Sequence, residues 1–203
     1  LNWLRASTVV SGTAAPPASA RALVLDDIAR PNKPMRARIP HAGGYDAMML
    51  FDYAAYLAAA DGGPAVTTVG LRIRNPGSPG IGALGVRWIA TARDLRHPML
   101  RLARQDGEFR IYEHLGARPR LRGAASARIT RDDPERVAFE AEGPGRLLLA
   151  DPWYPGWLVG SSVGACLPTR PPLKVSGLFR AVDLPGGHVT GEFVYRPVVF
   201  LWG

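Results

Sequence analysis

Few side chains in this chain are placed to do chemistry. The four histidines, His41, His97, His114 and His188, do not fall at metal-ligand spacing from one another or from an acidic residue, so no metal is expected. Cys166 is the single cysteine. It can form no internal disulfide and reads as a small buried hydrophobe beside Leu167. Carboxylates occur in tandem at Asp26-Asp27 and Asp132-Asp133, but neighbours on a strand point apart and Asp-Asp-Pro is a turn sequence. Gly80-Ile-Gly-Ala-Leu-Gly85 spells GxGxxG. A dinucleotide site needs that motif between a strand and a helix. Here it opens into "VRWIATA", which reads as a strand, so loop glycines account for it better. No GxSxG is present. Nothing in these residues requires catalysis or a cofactor.

What stands out is aromatic. Asp151 to Val159 reads "DPWYPGWLV", and this nine-residue stretch holds two of the five tryptophans. Trp153, Tyr154 and Trp157 flank Pro155-Gly156. Rings with one face left exposed stack on sugar C–H faces or sit at a lipid interface. The plainer reading is a turn that plugs the end of a core. Both stay open at this point. Arg180 joins the three rings as a candidate ligand contact. Tyr45 and Asp46, in "GGYDAMM", form a second candidate, since backbone N–H groups at a helix start can meet a ligand. There the structural reading is a helix cap and a core ring.

These residues need elements to position them. The chain has 203 residues, is 47% hydrophobic and 21% charged, and so can build a substantial core. Its 23 glycines and 19 prolines argue for many turns. Residues 11–20, "SGTAAPPASA", read as a loop. Asp46 is a plausible N-cap for a helix near 46–60, where Met49, Tyr53 and Tyr56 or Leu57 recur at helical spacing and Gly62-Gly63 stop it. Val66–Arg74, Val86–Thr91 and Gly107–Leu115 read as strands. Beyond Leu115 the pattern is wholly β. Val137, Phe139 and Ala141 alternate with Arg136, Glu140 and Glu142, while "GPG" at 143–145 and "PGG" at 185–187, next to His188, read as turns. The expected fold class is α+β. A small mixed α/β portion, residues 1–115, precedes a C-terminal antiparallel β-sandwich of jelly-roll or immunoglobulin-like type, residues 116–203.

The net charge is +8 and almost all of the basic residues are arginine; Lys33 and Lys174 are the lysines. The charge is spread along the chain rather than clustered, which argues against nucleic acid and leaves anionic lipid or a phosphate-bearing polymer as counterpart.

In order, "GGYDAMMLFDYAAYL", "LGVRWIAT", "FRIYEHLGARPRL", "GPGRLLLADPWYPGW" and "GLFRAVDLPGGHVTGEFVYRP" resemble the C-terminal extracytoplasmic region of the bacterial YfhO-type membrane proteins, which are related to the GT-C glycosyltransferases. The resemblance runs from about Arg38 to Pro197. It is most specific at Trp153–Trp157 and at Leu178–His188. It implies a polytopic parent that glycosylates cell-envelope polymers with lipid-linked sugars. The catalytic carboxylates of such enzymes lie near N-terminal spans outside this sequence, which implies a catalytically silent piece at the extracytoplasmic face of the membrane. Its partners would be the membrane spans of the same polypeptide and an envelope glycan or lipid-linked sugar. The opening "LNWLRASTVV" and the closing "YRPVVFLWG" fit a segment lying between spans. Relatives follow the Trp157 position with a short strand and an Asp-Gly turn. This chain reads "LVGSSVGACLPTRPPLKVSG", with no acid, so no role of that turn carries over. Two rival functions remain: an assembly module that packs on membrane spans without binding glycan, and a soluble carbohydrate-active enzyme with two carboxylates about 5–10 Å apart across a cleft.

Overall fold

The structure, a computed structural model, describes residues 20–25, 40–42, 50–63, 73–161 and 167–197. Contacts divide the chain into two units, Leu1–Pro119 and Arg120–Gly203. The fold is α+β and mostly strand.

In the first unit, β1 (Arg21–Val24) runs parallel to β2 (Val86–Thr91), so the chain between them must cross over. Among the described residues, two helices lie in that stretch, α1 (Phe51–Asp61) and α2 (Pro79–Ala83). β3 (Leu100–Asp106) and β4 (Phe109–His114) complete a four-stranded sheet of order β1-β2-β4-β3. The helix expected near 46–60 is described from Phe51, and Gly62 ends it in the left-handed conformation (φ 71°). Tyr45, Asp46 and Met49 lie outside the described residues, as do Asp26, Asp27, Cys166 and most of the strand expected at Val66–Arg74. Ile73 and Arg74, at the end of that span, are not in a strand.

The GxGxxG glycines serve packing. Gly80 and Gly82 sit in α2 rather than in a loop, with Ser78 as its N-cap. A Cβ on Gly80 would lie 2.5 Å from the Ala60 side chain, and one on Gly82 would lie 2.5 Å from the Gly116 carbonyl. Small residues let α2 approach both neighbours. Tyr56 Oη donates to the Gly80 carbonyl at 3.0 Å, tying α1 to α2.

The second unit is built on two 17-residue strands, β7 (Arg136–Pro152) and β10 (Phe179–Tyr195), paired antiparallel. Around them stand β5 (Leu121–Arg122), β6 (Ser126–Asp133), β8 (Trp157–Ser161) and β9 (Leu173–Val175), making one six-stranded sheet. The segments expected to be turns are corrected here. Gly143-Pro144-Gly145 and Pro185-Gly186-Gly187 are interior to β7 and β10 and face each other: Leu184 pairs with Gly145, Gly187 with Gly143, and the register shifts between. Neither proline has an N–H to donate, so both fall in the gap of the ladder. His188 is therefore a strand residue opposite Glu142, not a turn residue.

The bulge bends the sheet. On one side of it, β6, β7, β10 and β8 run together; on the other, β5, β7, β10 and β9 do. Core residues from both halves form one cluster: Leu147, Leu149 and Val182 from one, Val137, Phe139, Val159 and Phe193 from the other. The sandwich-like arrangement thus comes from one sheet folded over its own core. Phe139 and Phe193 are fully buried with ring centroids 5.5 Å apart. Each such side chain contributes roughly 1.5–3 kcal/mol. The expected alternation of Val137, Phe139 and Ala141 inward holds.

Candidate aromatic corner

Tyr154, Pro155, Gly156 and Trp157 make the turn from β7 into β8. The Trp157 N–H points to the Tyr154 carbonyl at 3.4 Å, and Gly156 has φ 98°. Proline second and a positive-φ glycine third is the composition of a type II turn. Gly156 is needed twice over, because a Cβ there would also lie 2.9 Å from the Tyr195 ring. The Arg196 N–H donates to the Gly156 carbonyl at 2.7 Å, and Tyr195 pairs with Trp157 across β8 and β10. Register thus adds a fourth aromatic that sequence reasoning missed. The Tyr195 ring centroid lies 5.4 Å from that of Trp157 and 6.3 Å from that of Tyr154.

The three expected rings are held in different ways. Tyr154 is 44% exposed. Trp153 and Trp157 are half-buried. Trp153 Nε1 donates to the Pro172 carbonyl at 3.0 Å, and the Lys174 ammonium lies 5.5 Å from its ring centre. Trp157 lies against the Arg180 guanidinium, 3.7 Å from ring centre to Cζ. That contact joins the two halves of the sheet, since Arg180 is the second residue of β10 and Trp157 is the first of β8.

Arg180 itself is only 4% exposed. Its place is inside, where it meets the Trp157 ring rather than solvent. Beneath it lies a charge network that sequence reasoning also missed. Asp151, buried on the core face beyond Leu149, accepts from Arg120 Nε at 2.8 Å, from Arg120 Nη2 at 2.6 Å and from Arg180 Nη2 at 2.9 Å. Arg120 also reaches Asp132. Burial alone would lower the Arg120 pKa, but Asp151 and then Asp132 hold it above its ordinary value. The tandem Asp132-Asp133 thus divides: Asp132 turns to Arg120 and Asp133 to Arg131. Two buried guanidiniums thus share one buried carboxylate, Asp151, and Arg120 reaches a second, Asp132, at the surface.

Outside the corner, His188 Nδ1 lies 2.8 Å from Glu142 Oε1 on the exposed side of the bend. His114 is buried in the first unit, with Nε2 3.0 Å from the Ser78 carbonyl and Nδ1 accepting from the Gly116 N–H at 3.1 Å. Among the described residues, no three His, Cys, Asp or Glu side chains gather as a metal site would require, and no helix is long and apolar enough to cross a membrane. No family model, curated protein or solved structure matches the chain.

Proposed function

We propose that this chain is a non-catalytic extracytoplasmic module of a polytopic, glycosyltransferase-like membrane protein, and that its second unit presents an envelope or lipid-linked glycan on the aromatic corner. The resemblance of its ordered motifs to the YfhO-type proteins supports the parent and the location. The observation that carries the ligand is the state of the rings. Trp153 and Trp157 are half-buried and anchored from behind while Tyr154 projects. A simple core plug would bury both indoles. Partly exposed and already held in place, the two indoles could meet a ligand at little ordering cost. Asp132 and Asp151 converge on Arg120, which binds both, and this suits a scaffold better than glycoside cleavage.

The test is titration of the 203-residue chain with soluble envelope oligosaccharides, alongside Trp157→Ala and Tyr154→Ala. Loss of one stacking ring should weaken binding by about 5- to 10-fold. Equal affinity in all three proteins, or no binding in any, removes the glycan and leaves the assembly module.

A further inference from the structure

We infer that the face formed by Tyr154, Trp157, Tyr195 and Arg196 docks on an anionic lipid headgroup layer. Three observations meet there. The first is chemical. The Tyr195 ring lies 6.3 Å from that of Tyr154 and 5.4 Å from that of Trp157, centre to centre, around a turn whose Tyr154 is exposed. Such rings have an apolar body and a polar tip, and they favour the boundary between hydrocarbon and water. The exposed Arg196 adds a cation beside them, and anionic headgroups attract each basic residue near their plane.

The second is rigidity. Arg196 is pinned to Gly156 by its backbone N–H, and the Tyr195 N–H donates to the Glu135 carbonyl at 2.8 Å. Together with the turn, these bonds fix the rings before any contact is made, so docking loses little side-chain entropy.

The third is where the chain goes. β10 leaves the sheet here. Pro197 lies against Gly156, 3.2 Å from where its Cβ would be, and the sequence continues Val198-Val-Phe-Leu-Trp202. A cation and aromatic tips followed at once by apolar residues is the order of side chains met on passing from water through headgroups into hydrocarbon. No sugar is needed for this contact, so it stands apart from the glycan reading. Were both to hold, the corner would meet a glycan where that glycan is attached to lipid.

The experiment is co-sedimentation of the 203-residue chain with vesicles of phosphatidylcholine alone, and with vesicles containing a minority of phosphatidylglycerol. The chain should sediment with the anionic vesicles and be released by salt. Arg196→Glu and Tyr154→Ser should each weaken this at least about 5-fold, with melting unchanged. Arg128→Glu makes the same charge change elsewhere, on an exposed strand residue paired with Glu140, and should bind as the parent does. Equal weakening by Arg196→Glu and Arg128→Glu would reduce the effect to net charge and overturn the inference. Undiminished binding by both corner variants would overturn it too. Soluble-oligosaccharide titration contains no lipid and these vesicles contain no sugar, so the two ideas fail separately.

Discussion

The Arg180 guanidinium lies 3.7 Å from the centre of the Trp157 ring, while its Nη2 lies 2.9 Å from Asp151. One buried cation therefore faces a carboxylate and an aromatic at once. A desolvated cation–π contact is worth about 2 kcal/mol. Asp151 holds the same guanidinium through its Nη2. The core charge network and the surface corner are thus one mechanical piece, and the inner face of Trp157 is closed by design of the packing, not by chance contact.

Asp151→Asn should cost more than Arg180→Met. Asp151 serves two guanidiniums, so its loss leaves two buried cations short of charge; about 3–5 kcal/mol is the usual penalty for such a break. Removing Arg180 leaves the bidentate Arg120–Asp151 pair intact and puts a flexible apolar chain under Trp157. Urea unfolding followed by tryptophan fluorescence ranks the two midpoints. The reverse order would show that Arg180, not Asp151, anchors the cluster.

The bend in β7 and β10 predicts a sharp contrast between two glycines. A Cβ on Gly143 would lie 1.9 Å from the Pro185 carbonyl, a backbone atom that cannot swing aside, whereas one on Gly186 meets nothing within 4 Å. Gly143→Ala should cost about 3 kcal/mol or more, at the upper end of overpacking. Gly186→Ala should stay within about 0.5 kcal/mol. Thermal melts of the two variants decide it, and similar Tm values would mean that the strands do not cross at this point.

Some of this was legible beforehand. Val86–Thr91 announced itself by composition, the inward set of Val137, Phe139 and Ala141 by alternation, and the Tyr154–Trp157 turn by Pro-Gly. These are local signals. The bulge was not legible, because a Pro-Gly group is a turn when its flanks pair with each other and a bulge when they pair with another strand. Only the β7–β10 register decides which. The Asp151 network escaped for the same reason: its partners lie 31 and 29 positions away, and a buried arginine looks in sequence like any surface arginine. Tyr195 joined the corner through cross-strand pairing with Trp157, which no spacing rule reveals. Arg180, chosen as a ligand contact, lies behind the aromatic face instead of on it.

Glu113 should make the first unit sensitive to strong acid. Burial would raise its pKa, but hydrogen bonds from Arg101 and Arg87 outweigh that and hold it below the ordinary 4.5. A carboxylate with a depressed folded-state pKa adds stability that is present above the unfolded value and lost as pH falls through the folded one. The chain should therefore weaken below about pH 4.5, and Glu113→Gln should flatten that part of the profile. Chemical denaturation across the acid range reads it, and an unchanged slope in the variant would place the acid sensitivity elsewhere.

His114 should act in a higher window. Burial lowers its pKa below 6.5, against the opposing pull of backbone hydrogen bonds, with His97 adding a smaller lowering. The neutral ring suits its contacts: Nε2–H donates to the Ser78 carbonyl, and Nδ1, without a proton, accepts from the Gly116 N–H. Protonation at Nδ1 would set two donors against each other in a buried place. In the window between the folded and unfolded values the unfolded chain holds the extra proton, so stability rises with pH there. It is full above about pH 6.5 and declines as pH falls below it. His114→Gln can keep a donor toward Ser78 without titrating. Its Tm should be lower than the parent's at about pH 8, through poorer packing, yet should fall less on moving to about pH 5.5. Parallel losses in both proteins would mean that another histidine governs this range.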